Sequence, residues 1–279
     1  MKKPLVSATW LRENLNHPEL VILDASQKSN KDNLKSEFAN IQIKSARFFD
    51  LKNHFSDKMS PFPNTLPSPK QFEEECRKLG ISSSSKIVVY DHLGVHTSPR
   101  VWWMFRTMGH ENIAVLNGGL PDWIDKGFET EQMKNSSFET GDFEANFQPA
   151  LVNDYDLILE NISKQRAIVI DARSTGRFDG TAPEPRRGLK SGHIPNSFNI
   201  PYTDVLEDGK YKSKPELSEL FNHVNMEDTP LIFTCGSGIT ACIILLAGEL
   251  ISPNQKSVYD GSWTEWAQLK EENVETTEF

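Results

Sequence analysis

The chain reads as an α/β protein of two tandem domains, each a mostly parallel sheet with helices on both faces. Three observations point there. Short apolar runs alternate with helix-like segments; that whole pattern occurs twice; and a polar stretch separates the two copies. Apolar runs of this length, without in–out alternation, are what strands buried on both faces require. Their alternation with helices is the mark of parallel crossover units.

Taken in order, Leu20-Val21-Ile22-Leu23-Asp24-Ala25 recurs as Ala167-Ile168-Val169-Ile170-Asp171-Ala172, each a short strand ending in Asp. Ile87-Val88-Val89-Tyr90-Asp91 recurs as Leu231-Ile232-Phe233-Thr234-Cys235. The turns that follow also align, Asp91-His92-Leu93-Gly94-Val95 against Cys235-Gly236-Ser237-Gly238-Ile239. Each runs into a helix, expected over 99–108 and 240–250. A further strand and turn follow, Ala114-Val115-Leu116-Asn117-Gly118 against Ser257-Val258-Tyr259-Asp260-Gly261. Trp123 and Trp266 stand five residues after their glycines. The offset between paired positions drifts only from 147 (Leu20 to Ala167) to 143 (Trp123 to Trp266). An ordered series of matches at nearly constant spacing is a duplication. The expected division is a first domain over residues 1–135, a linker over 136–152 and a second domain over 153–279. Asn135-Ser136-Ser137 and Thr140-Gly141-Asp142 break the apolar pattern between the copies.

Bulk properties narrow the function. The 279 residues carry 39 acidic and 30 basic side chains, a net charge of −9. Such a chain has little non-specific affinity for nucleic acid or anionic membranes, so any anionic substrate needs a local basic patch. No apolar stretch approaches the length of a membrane span. The first residues lack the apolar core of a signal peptide and the Arg/Ser-rich character of a transit peptide. Three cysteines, widely spaced and without a Cys-x-x-Cys pair, make a disulfide framework or a zinc site unexpected. The expected compartment is the reducing cytoplasm.

The chemistry concentrates at Cys235-Gly-Ser-Gly-Ile-Thr-Ala-Cys242. A cysteine on a Gly-rich strand-to-helix turn faces backbone N–H groups and the positive end of a helix, both of which favour the nucleophilic thiolate. A buried structural cysteine is the competing reading. The duplication bears on this: the equivalent turn in the first half holds Asp91, which cannot act as a sulfur nucleophile, so only the second half is expected to be catalytic. Ser237 and Thr240 place hydroxyls in the same turn, for the sulfur, for a substrate oxygen, or for ordinary turn and cap bonds. A second cluster follows Asp171, where residues 171–192 hold five basic and three acidic side chains. Arg177 and Arg186, nine apart on this loop, are expected to clamp one small carboxylate. Arg187 and Lys190 read as surface charges, Asp171 as an anchor for a neighbouring loop, and His193 as a structural corner in Gly192-His193-Ile194-Pro195. Cys242 reads as buried and inert, and Cys76 shows no evident chemistry.

These residues carry a resemblance. Asp171-Ala172-Arg173, Gly192-His193-Ile194-Pro195, the Cys235 loop and Tyr259-Asp260-Gly261 resemble the two-domain rhodanese family of sulfurtransferases over nearly the full chain. The resemblance implies two rhodanese-like domains, the first catalytically inactive. The neutral loop Cys235-Gly236-Ser237-Gly238-Ile239-Thr240 resembles the 3-mercaptopyruvate branch, where thiosulfate-preferring members usually carry basic residues after the cysteine. The segment from Gly176-Arg177-Phe178 to Glu184-Pro185-Arg186 resembles the same branch. The implied activity moves sulfur from 3-mercaptopyruvate through a Cys235 persulfide to a thiol, cyanide or a thioredoxin-like protein, releasing pyruvate. Cys235 and Ser237 are then catalytic, and Arg177, Arg186, Gly236, Gly238, Ile239 and Thr240 bind substrate. No metal or organic cofactor is implied. Several relatives place a His and an acidic residue where this chain has Asn64 (or Thr65) and Lys52, so a Ser-His-Asp relay is not carried over; His54 is a possible substitute. Thiosulfate:cyanide sulfur transfer and a non-catalytic sulfur-relay module stand as alternatives. Phosphatase chemistry of the Cys-x5-Arg type does not fit, because position 241 holds Ala.

Overall fold

Two five-stranded parallel sheets, one in each half, form the frame of the protein. The computed structural model describes all residues except 2, 28–33, 135, 225, 270–273 and 278–279; of the residues expected to break the pattern between the halves, Asn135 lies outside the described set. In the first sheet the order is Leu5–Val6, Ile113–Leu116, Lys86–Tyr90, Leu20–Asp24, Arg47–Phe48. In the second it is Val152–Asn153, Lys256–Tyr259, Leu231–Thr234, Ile168–Asp171, Phe198–Asn199. All pairings within both sheets are parallel. In chain order the two sheets have the same strand sequence, which is the duplication expressed as topology.

The apolar runs of the sequence are the three inner strands of each sheet. Their side chains are almost all buried, Val21 to Leu23 and Ile87 to Tyr90 in one half, Leu231 to Thr234 in the other. The two-residue edge strands Leu5–Val6 and Val152–Asn153 are too short to show as periodic segments. Helices cover the faces. Ser98–Thr107 and Ala241–Ile251 follow the central strands, and Ala241 to Gly248 is buried on every side, as a helix without a polar face must be. Trp123 and Trp266 are both fully buried. Trp123 packs with Ile22, Val88 and Leu120, and Trp266 with Ile158, Val169, Ile232 and Trp263.

The first compact unit comprises residues 1–58, 66–148 and 208–211, and the second comprises 59–65, 149–207 and 212–279. The stretch expected as a linker, 136–152, is therefore divided between them. Up to Gln148 it belongs to the first unit: Gly141 N donates to Arg77 O (2.9 Å) and Gln148 N to Thr107 O (2.7 Å). Phe143 is buried there, 5.7 Å from the rings of both Phe72 and Phe105. Of the three phenylalanines in this polar stretch, Phe138, Phe143 and Phe147, only Phe143 is buried, and it anchors the segment without leaving a periodic signal.

In the second unit the carboxyl of Glu265 is held above its ordinary value of 4.5, first by burial and then by Asp260, Asp154 and Asp156 nearby. A carboxyl raised in this way favours folding fully only below about pH 4.5 and loses that contribution as pH rises through its folded value. Glu265→Gln should therefore raise the urea midpoint at pH 7 to 8, with the gain shrinking as pH falls towards 4.5. A gain that grows towards acid pH would contradict this assignment.

Candidate active site

Cys235 stands at the carboxyl end of the central strand Leu231–Thr234, where open parallel sheets place their ligands. It is 2% exposed. The backbone around it is tied to the neighbouring turn. Trp263 N donates to Cys235 O (2.9 Å), Thr264 N donates to Gly236 O (3.1 Å), and the Thr264 hydroxyl donates to the same oxygen. Cys235 N donates to Ser262 Oγ at 3.4 Å. Ser262 itself adopts φ 52°, an uncommon conformation for a residue with a side chain. Gly261 and the first turn of the helix Ser262–Leu269 thus fix where the sulfur starts.

The following turn needs its glycines. Gly238 has φ 77°, the left-handed region. A Cβ on Gly236 would lie 3.0 Å from Arg177 Nη2 and 3.6 Å from Arg186 Nη1. Both guanidinium groups expected to clamp substrate therefore reach the cysteine loop. Ser237 is buried, and Asn64 Nδ2 donates to its Oγ at 3.0 Å. Asn64 has φ 64°, which Asn tolerates better than most residues. Thr240 caps the helix Ala241–Ile251 through its backbone position, without a side-chain cap bond. Ile239 is partly exposed in the same turn. His54 pairs with Glu75 at 3.1 Å in the first unit.

The two arginines differ in their surroundings. Arg177, on the short helix Thr175–Asp179, donates to Glu184 through Nε (3.0 Å) and Nη2 (2.8 Å). Glu184 also accepts from Arg173 Nη1 (2.8 Å), and its side chain is 1% exposed. Arg173, fully buried, donates through Nε and Nη2 to Asp171 and lies 4.0 Å over the Trp263 ring. A buried chain of alternating charge, Asp171–Arg173–Glu184–Arg177, thus runs from the end of a strand to the cysteine loop. Burial works against the Arg177 charge, but Glu184 more than compensates, and the group is held above its usual range. Arg186 is half-buried and forms no ion pair among the described residues. Burial lowers its affinity for the proton, while the Cys235 sulfur pulls the other way.

The remaining residues of interest have local roles. The His193 ring stacks on Phe178 at 4.1 Å, with Nδ1 2.9 Å from the Phe178 carbonyl. Cys242 Sγ lies 3.3 Å from Gly238 O and is buried, as is Cys76. Arg187 and Lys190 are exposed.

A family model for the rhodanese-like domain matches this chain twice, at residues 7–126 and 154–269. The chain belongs to the rhodanese family. It is 40% identical over 275 residues to the 3-mercaptopyruvate sulfurtransferase of Homo sapiens, covering 95% of this chain and 92% of that one. It is equally 40% identical over 274 residues to the thiosulfate sulfurtransferase of Rattus norvegicus, with 95% and 92% covered. The crystal structure of the 3-mercaptopyruvate sulfotransferase SseA from Escherichia coli superposes with a TM-score of 0.84 at 34% identity, covering 94% of this chain and 99% of that one.

The first rhodanese domain shows what its equivalent turn does with a carboxylate. Asp91 Oδ2 accepts from the N–H groups of His96, Thr97 and Ser98, each at 2.9 Å, and from the Ser98 hydroxyl at 2.7 Å; Oδ1 accepts from Leu93 N at 3.0 Å. Converging amides at the start of the helix Ser98–Thr107 thus hold an anion that the chain itself supplies. Asp91→Ala should leave those buried donors unsatisfied and cost about 3 kcal/mol of stability, read as a shift of the first unfolding transition in urea. A loss below about 1 kcal/mol would show that water replaces the carboxylate without penalty.

Proposed function

We infer that this rhodanese-family chain is a sulfurtransferase that takes sulfur from 3-mercaptopyruvate. The family membership supports sulfur transfer. It does not by itself choose the donor, because relatives named for mercaptopyruvate and for thiosulfate are equally similar. The observation that carries the choice is the charge around Cys235. Gly236, Ser237 and Gly238 are neutral, Arg177 is committed to Glu184, and Arg186 alone stands half-buried without an ion pair. One cation without a carboxylate partner suits a donor with one carboxylate.

In the reading we favour, the Cys235 thiolate attacks the thiol sulfur of 3-mercaptopyruvate. The carbon–sulfur bond breaks and its electrons stay on carbon, giving the enolate of pyruvate and a Cys235 hydropersulfide. The proton passes to the enolate carbon, pyruvate leaves, and the enzyme holds a persulfide anion. A thiol, cyanide or a thioredoxin-like protein then takes the outer sulfur and returns the thiolate, which is covalent ping-pong catalysis. Arg186 supplies the charge for the substrate carboxylate, and Arg177, with donors not used by Glu184, orients the carboxylate and keto group. Ser237 and the turn N–H groups of Gly236, Gly238, Ile239 and Thr240 stabilise the anionic sulfur and the developing enolate. Asp91 leaves the equivalent turn of the first domain without a sulfur nucleophile, and Cys76 is buried in the core of that domain, so the first domain's role is structural. Among the described residues no helix is long and apolar enough to cross a membrane, and we place the enzyme in the cytoplasm, where its three free cysteines stay reduced.

With cyanide as common acceptor, kcat/KM for 3-mercaptopyruvate should exceed that for thiosulfate; a clear thiosulfate preference would overturn the donor assignment. Arg186→Ala should raise KM for 3-mercaptopyruvate about tenfold or more, the loss of one charge-assisted bond of roughly 1.5–3 kcal/mol. An unchanged KM would make Arg186 a solvated loop residue.

A further inference from the structure

Glu184 has no counterpart in the proposed chemistry, yet it is nearly inaccessible to solvent and engages two arginines at once. Around the cysteine loop, Asp171 matches the charge of Arg173, and Glu184 matches that of Arg177. Among the described residues of this cluster, Arg186 is the one cation without a carboxylate partner, and it also faces the Cys235 sulfur. The Arg177 guanidinium spends its Nε–H and one Nη2 donor on Glu184 and keeps the others. It can therefore still donate hydrogen bonds to a substrate while adding almost no net charge to the site. A second negative charge on a donor would face the buried Glu184 carboxylate across Arg177, which that carboxylate already neutralises. At such short range, in a medium of effective dielectric near 20, one unit of charge changes an interaction by well over a factor of ten.

We propose that Glu184 is a specificity-determining residue: by neutralising Arg177 it sets the donor site to accept a monoanionic sulfur donor and to disfavour a dianionic one. This rests on the reading of Arg177, Arg186 and the Cys235 turn as the donor site. Glu184 acts through Arg177 and touches no substrate. Its effect is a ratio between donors, which a merely structural role would leave alone.

The test compares wild type, Glu184→Gln and Glu184→Asp at fixed ionic strength, with 3-mercaptopyruvate and thiosulfate as donors and cyanide as acceptor. Glu184→Gln should raise the thiosulfate-to-mercaptopyruvate ratio of kcat/KM by about tenfold or more. Glu184→Asp, which keeps the charge, should leave that ratio within about threefold of wild type whatever it does to the absolute rates. Equal losses for both donors in Glu184→Gln, or an equal shift in both variants, would overturn the proposal. A wild type that prefers thiosulfate would overturn the donor assignment instead, so the two failures are distinct. A second measurement needs no variant. Methanesulfonate and sulfate share a tetrahedral shape and differ by one charge. Against 3-mercaptopyruvate, methanesulfonate should inhibit wild type at least as well as sulfate; tighter inhibition by sulfate would overturn the proposal even if Glu184→Gln does not fold.

Discussion

The site depends on the buried chain of alternating charge that links Asp171, Arg173, Glu184 and Arg177. Each member is costly to bury alone and tolerable only with its partner, so the four hold one another in a single arrangement. Asp171 is fixed because it ends a core strand, and Arg173 is fixed between it and the Trp263 ring. Glu184 lies in the Pro- and Gly-rich loop that follows the short helix Thr175–Asp179, and its carboxylate ties that loop both to Arg173 and to Arg177 on the helix. Trp263 adds a second tie, since its backbone N–H holds the Cys235 carbonyl. The arginine and the nucleophile are thus referred to the same few residues, which is what a reaction between a held carboxylate and an attacking sulfur requires.

The two halves of the chain solve one problem in two ways. A strand that turns into a helix over a glycine-containing loop gathers backbone N–H groups around one point, and that point favours negative charge. In the first half Asp91 fills it permanently, with five hydrogen bonds to its carboxylate. In the second half the same position holds Cys235, and in the proposed mechanism the negative charge there belongs to the reaction. Duplication followed by this exchange accounts for two copies of the fold with a cysteine at this turn in the second half and an aspartate in the first.

Much of this was legible in the residues themselves. The inner strands are buried on both faces, so they read as apolar runs, and their repetition exposed the duplication and the sheet type. The cysteine turn was legible because few local contexts combine a strand end, two glycines and a helix start. Other parts were not. Glu184, between prolines on a charged loop, looks like a solvated residue, and only the fold brings Arg173 and Arg177 to it. Arg173 itself, an arginine with no exposure, contradicts the usual fate of its side chain. Asn64 reaches Ser237 from 173 positions away, a pairing no local pattern announces. Ser262 and Thr264 hold the cysteine backbone from the first turn of the helix Ser262–Leu269, a role that the residues around them do not signal. Phe143 draws a stretch that reads as linker onto the first unit by the burial of one ring.

Relatives equally similar to this chain are named for different sulfur donors, so the fold and most of the sequence serve sulfur transfer in general. On the reading proposed above, donor choice resides in the few charges around Cys235, and sulfur acceptance in Cys235 itself. The most direct test of that account is a single turnover without acceptor. Purified protein is mixed with one equivalent of 3-mercaptopyruvate, pyruvate is quantified, and the protein is mapped by mass spectrometry after thiol blocking. The account predicts one pyruvate released for each sulfur atom gained, with that sulfur on Cys235 and none on Cys76 or Cys242. Pyruvate release without a Cys235 persulfide, or sulfur found on another cysteine, would contradict it.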